Sequence, residues 1–221
     1  MIKPSRILEA LRGIAYTWER VLSSEVLRTF NRVSNAMPIV THDKEKAYNA
    51  INFFLEHTSL CNKKKLYKLL WLLDSEHYAE TGRSVTGYEY QAWQMGPVPV
   101  ELHSAIQKRD ADFLQYFDVP PARGKNAVLL VSKRPFEGKY FSKRQKRLLE
   151  SLENRFSIAT GDEMEGWTHR KGTPWHRVWM IENQKNVVIP YEYTLDKLPP
   201  EDQEIIRSIA EDRKAFLSAY R

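Results

Sequence analysis

The segment from Lys63 to His103 constrains the fold of this chain more tightly than any other. Leu66, Leu69, Leu70, Leu73 and His77 fall at the i, i+3, i+4, i+7 and i+11 positions of one helical face. Asn62 stands at the N-cap position of that helix, which is predicted to run to about Glu80. Gly82 follows where a left-handed C-cap belongs, because glycine alone carries no Cβ penalty there. Gly87 marks a turn, and Tyr88 to Gln94 is β-like in its aromatic content. Gly96-Pro97 predicts a change of chain direction, and Pro99 suits the first turn of a short helix through Ile106.

The flanking sequence reads as further helices around this segment. Thr41 or Asp43 can cap a helix that buries Ala47, Ile51, Phe54 and Leu55 and ends near His57. Ser142 with Gln145, and Thr160 with Glu163, have capping-box spacing and predict helices from about 143 and 161. Thr173-Pro174 combines an N-cap with proline at N1. A last helix should open at Pro200, with Glu201, Asp202 and Glu204 in its first turn and an apolar face of Ile205, Ile206, Ile209, Phe216 and Leu217. Residues 127–132 (AVLLVS) read as a short strand pairing with 88–94, while 113–125 is irregular. The fold class is therefore α+β, mainly α: a helical domain over residues 37–221 with one small antiparallel element. Residues 1–36 form a separate helical extension, with Ile7, Leu8, Leu11, Ile14 and Trp18 at helical spacing. It is either an arm that docks on the body or a partner, or sequence upstream of a natural start at Met37.

Composition limits what such a chain does. No apolar run approaches the ~20 residues a membrane span needs, and Glu9 and Arg12 interrupt any signal-peptide core, so a cytoplasmic protein is expected. The single cysteine, Cys61, allows no intrachain disulfide and no Cys-based metal cluster. Lys63 to Lys65 beside it would favour a lowered thiol pKa. The net charge is +6, and half of it lies in residues 1–36, which hold six basic and three acidic residues. The remaining basic runs, 63–65 and 143–147, are short, so nucleic acid stays an uncertain partner.

No P-loop, GxGxxG, HExxH or GxSxG pattern occurs. The six histidines are scattered, and His77 on the apolar stripe reads as a satisfied core residue. Asp74, Glu76, Glu80 and Glu89 read as surface salt-bridge partners. No catalytic residue, metal or cofactor is expected. Aromatic residues are dense instead: Tyr67, Trp71, Tyr78, Tyr88, Tyr90 and Trp93, then Trp167, Trp175 and Trp179. Such residues fill cores and also dominate binding hot spots.

The ordered set Lys65-Leu66-Tyr67-Lys68-Leu69-Leu70-Trp71, Glu76-His77-Tyr78, Thr81-Gly82-Arg83, Thr86-Gly87, Gly96-Pro97-Val98, Thr168-His169 and Pro174-Trp175 resembles the Panacea domain, the family of SocA-like antitoxins and phage-associated proteins. The resemblance covers roughly residues 42–185. Trp71 stands where tyrosine or another aromatic is usual, and Ser84 replaces a proline frequent after Gly-Arg. The resemblance implies an antitoxin, with a role in phage defence, that neutralises a cognate protein toxin by direct contact. An ATP-dependent protease is a further possible partner, since one family member is a proteolytic adaptor; a DNA-binding autoregulator is the other alternative. The signature and partner-binding candidates are Tyr67, Trp71, His77, Arg83, Tyr88, Tyr90, Trp93, Gly96, Pro97, Val98, His169 and Trp175. Gly96, Pro97 and Val98 are expected to form a fixed backbone corner with His169 and Trp175 packed near it.

Overall fold

The structure is a computed structural model that describes residues 43–121 and 130–219. The N-terminal extension, the question of Met37 and residues 127–129 of the expected strand lie outside the described residues. Helix α1 spans Asp43–His57 and α2 spans Lys63–Thr81. The Asn62 side chain accepts from Lys65 N at 2.9 Å and caps the start of α2. Gly82 closes it with φ +69°, its N–H donating to Tyr78 O at 2.8 Å. Both ends lie where the capping residues predict them, because the unpaired N–H and C=O groups of a helix end need local partners.

Helix α2 is the centre of the domain. It packs against α1, against the helices α5 (Lys143–Phe156) and α6 (Gly161–His169), against the hairpin, and against a 3₁₀ segment, Tyr191–Lys197. Its leucine stripe is fully buried, but so are Asp74 at the edge of that stripe and Lys65 and Lys68 away from it. An amphipathic pattern marks the face that must be buried; it does not say what covers the rest.

The first strands, β1 (Tyr90–Trp93) and β2 (Gly96–Pro99), form an antiparallel hairpin with Tyr90 opposite Pro99 and Trp93 opposite Gly96. The turn is therefore Gln94-Met95, and Gly96-Pro97 opens the returning strand; this corrects the corner expected at Gly96. The expected pairing of 88–94 with 127–132 is also corrected. Residues 131–132 are β4, and they pair with β3 at Phe117–Asp118. A two-residue connection costs far less chain entropy than one of thirty or so, so the nearest strand takes the edge of β1. The other edge of β1 is filled by residues 186–189: Asn186 N donates to Ala92 O, and Ile189 N to Tyr90 O, both at 2.8 Å.

Between the two strand pairs lie α3 (Val100–Lys108), entered from Pro99, and the single turn α4 (Ala111–Leu114). Both predicted capping boxes are formed, at Ser142/Gln145 before α5 and Thr160/Glu163 before α6. Thr173 caps α7 (Pro174–His176), which continues as a π-helical turn through Ile181. The last helix, α8, spans Pro200–Ala219. Its predicted apolar face is split: Ile206 and Leu217 are half-buried, whereas Ile205 is 57% and Ile209 45% exposed. A Cβ at Gly82 would lie 2.9 Å from Ile206 O and 3.1 Å from Ala210 N. That close approach turns Ile206 and Ala210 towards the body and carries Ile205 and Ile209 outwards. The described part is thus mainly helical with small antiparallel sheets. Among the described residues no helix is long and apolar enough to cross a membrane.

Candidate functional site

The signature residues converge on the two flanks of α2, in two aromatic groups. On the hairpin side the Lys68 ammonium, 1% exposed, donates to Pro97 O at 3.1 Å. Gly96, at φ +99°, lies directly over it: a Cβ there would be 2.7 Å from Lys68 Cε and 3.0 Å from His169 Nε2. The His169 ring stacks on Trp175 with centroids 3.6 Å apart, and Trp175 Nε1 donates to Trp93 O at 2.8 Å. Trp93 meets His103 edge-on, and Tyr67 Oη lies 3.3 Å from His103 Nδ1. Tyr67, Trp93, Gly96, Pro97, His169 and Trp175 are thereby brought into one cluster. Burial lowers the Lys68 pKa to about 7 and the His169 pKa to about 4, so His169 is neutral at physiological pH.

The second group surrounds Asp74. Its Oδ1 accepts from the backbone N–H groups of Val85 and Thr86 at 2.7 and 2.8 Å. Its Oδ2 accepts from Tyr90 Oη at 2.8 Å and from the Thr86 hydroxyl. Trp71 meets Tyr90 edge-on at 5.1 Å and stacks against Tyr191, which in turn stacks on Tyr78. Burial pushes the Asp74 pKa up to about 6 while the four hydrogen bonds pull against it. Asp74 is thus a core acceptor and not a surface salt-bridge partner. Of that expected group, Glu76 and Glu80 make ion pairs, with Arg155 and Arg144.

The remaining candidates are placed elsewhere. His77 is buried, with Nδ1 2.7 Å from Arg83 O, and desolvation lowers its pKa. The Arg83 side chain is exposed. Tyr88 is buried behind a hollow of about 590 Å³ that it lines with Tyr48. Val98 is buried in the hairpin. The Cys61 thiol is buried and its pKa rises to about 11, which overturns the lowered value expected from its lysine neighbours. Lys65 does not face it as a free charge: its Nζ donates to Ser59 O at 2.7 Å and Ser157 O at 3.0 Å.

Most of the expected contact residues are therefore foundation. The open surface lies beside them, in a groove of about 330 Å³ where α2, α5, α6 and the 191–197 segment meet. Trp71, Thr168 and Pro174 of the signature border it, and Trp167 and Tyr193 stand at its rim. Trp167 is 41% exposed, with the Arg170 guanidinium 3.5 Å over its ring. Of the residues that matter here, Asp74 reads from sequence as a surface salt-bridge partner, and Arg170 is not singled out at all. Asp74 does occupy the leucine stripe, four residues after Leu70, and an acid on an apolar stripe is a signal for a buried hydrogen-bonded carboxylate. Arg170 has no comparable signal.

The family model described as antitoxin SocA-like, Panacea domain, matches residues 66–176, half of the chain. None of the curated proteins and none of the solved structures matches. The matched span opens on the first leucine of the α2 stripe and closes one residue past the Trp175 that stacks on His169. It therefore contains both clusters except Tyr191. The chain belongs to the SocA-like antitoxin family through its Panacea domain.

Proposed function

We propose that this protein is the antitoxin of a toxin–antitoxin pair and that it neutralises a protein toxin by binding it directly, without a catalytic step. The contact surface in this reading is the groove between α2, α5, α6 and the 191–197 segment. One observation carries it: Trp167, half out of the core, is held between Phe156 below (centroids 5.4 Å apart) and the Arg170 guanidinium above. Tryptophan, tyrosine and arginine are the residue types that dominate protein-binding hot spots, and Trp167, Tyr193, Arg155 and Arg170 all line this one groove. Side chains already fixed by stacking lose little further freedom when a partner docks.

The test is co-expression with the protein encoded beside this chain, followed by co-purification. Wild-type protein should restore growth and retain the toxin. Trp167→Ala and Arg170→Ala should each weaken the complex by about 30-fold, the effect of a hot-spot loss near 2 kcal/mol, with unchanged circular dichroism. Toxicity that persists beside wild-type protein defeats the proposal, as does full retention of the toxin by both variants.

A further inference from the structure

The charges around the groove are unbalanced. Four basic side chains line it, Arg155, Arg170, Lys171 and Lys197, against one carboxylate, Glu76. Arg155 is already committed, with Nη1 2.9 Å from both Glu76 oxygens. Among the described residues none of Arg170, Lys171 and Lys197 makes an ion pair, and all three are exposed. Two of them are displayed by a tied turn. Thr173 N donates to Arg170 O at 3.1 Å, the Thr173 hydroxyl donates to Thr168 O at 2.8 Å, and Gly172 takes φ +81° with open space around it. The turn thus fixes the backbone from which Arg170 and Lys171 project, and the Arg170 guanidinium is held over the Trp167 ring. Between them the wall is apolar, from Trp71, Leu72, Ala79 and Pro174.

We infer that this groove takes an acidic segment of a protein partner, an extended stretch in which carboxylates flank one large apolar side chain. This rests on the binding function proposed above and adds the chemistry of what is bound. Three unpaired cations call for anions, and about 330 Å³ between apolar walls holds one aromatic or branched side chain. A nucleic-acid strand fits less well. Phosphate binding needs a continuous basic stripe, whereas here Trp71, Leu72, Ala79, Trp167 and Pro174 interrupt the basic residues and Glu76 stands in the wall.

The probe is a fluorescein-labelled peptide with two glutamates on either side of a phenylalanine, titrated with the full chain at low ionic strength. Its controls are the glutamine and lysine analogues and an oligothymidine. The acidic peptide should bind about tenfold more tightly than the glutamine analogue, the gain two or three exposed ion pairs supply, and added salt should erase the difference. The double variant Arg170→Glu, Lys171→Glu should lose this preference, while Trp167→Ala should weaken the acidic and glutamine peptides alike. Equal binding of both peptides, tighter binding of the oligonucleotide, a preference that survives charge reversal, or no binding of any probe overturns the inference. The double variant also separates the two claims in co-expression. A toxin still neutralised by it, but not by Trp167→Ala, removes the acidic segment and leaves the binding function standing.

Discussion

Asp74 is the position where loss of one side chain's polar group should cost most. The carboxylate is fully buried and accepts four hydrogen bonds, two from backbone N–H groups and two from the Thr86 and Tyr90 hydroxyls. Replacing it by alanine strands those donors in a dry core. The hydroxyls can rotate towards other acceptors, but the Val85 and Thr86 amides cannot. At about 1–3 kcal/mol for each buried unsatisfied donor, Asp74→Ala should lose about 3–5 kcal/mol. Asp74→Asn keeps one oxygen for both amides, and its NH₂ can donate to the hydroxyl oxygens, so about 1–2 kcal/mol is expected.

The pH dependence of Asp74 gives a second, independent reading. Its pKa in the folded protein is about 6, against an ordinary value of 3.8. Between these values the unfolded chain is ionised while the folded protein keeps its proton. Stability contributed by this group is full below 3.8, falls as pH rises towards 6, and is flat above. The amplitude is about 3 kcal/mol at 1.36 kcal/mol per unit. Urea unfolding followed by tryptophan fluorescence, across this pH window, measures both effects. In Asp74→Asn the difference from wild type should shrink with rising pH, because the variant lacks the slope. A loss below about 1 kcal/mol in Asp74→Ala, or an identical slope in Asp74→Asn, refutes the reasoning.

Two further outcomes follow from neighbouring groups. Lys68 is buried with a pKa of about 7 against an ordinary 10.5, so the unfolded chain holds a proton the folded protein lacks between those values, and this group makes stability rise with pH across them. Lys68→Met should remove that rise and leave neutral-pH stability unchanged or higher by about 1–3 kcal/mol; a loss above about 2 kcal/mol at neutral pH would show that the hydrogen bond to Pro97 O outweighs the burial cost. Gly82→Ala forces a left-handed φ of +69° on a side chain whose Cβ meets Ile206 O at 2.9 Å. It should cost about 2–3 kcal/mol, part from the backbone and part from the clash, and speed proteolysis within α8; an unchanged melting temperature and cleavage pattern would sink it.

Local signals proved the most legible part of this chain. Asn62, Gly82, Ser142/Gln145, Thr160/Glu163 and Thr173-Pro174 mark helix ends in the structure because capping is decided within four residues of sequence. The ordered signature that identifies the domain is likewise written in sequence, over the span the family model matches. What sequence left open is which aromatics face outwards. Tyr67, Trp71, Tyr88, Tyr90 and Trp175 are as apolar and as large as a hot spot requires, yet all are buried.

Tertiary packing made that choice. Helix α2 carries one obvious apolar stripe, but α1, α5, α6, the hairpin and the 191–197 segment enclose its flanks too, and so Lys68 is buried beside Pro97 of the hairpin and Asp74 beside Val85, Thr86 and Tyr90. The same holds for the groove, whose walls come from four separate stretches of chain. Sequence determined the helix boundaries and the family, because capping and motif order are local properties. Only the folded structure decided which charges are buried, which strand pairs with which, and that Trp167 and Arg170 stand at the open surface. Burial depends on what the rest of the chain brings alongside, and no window of neighbouring residues contains that information.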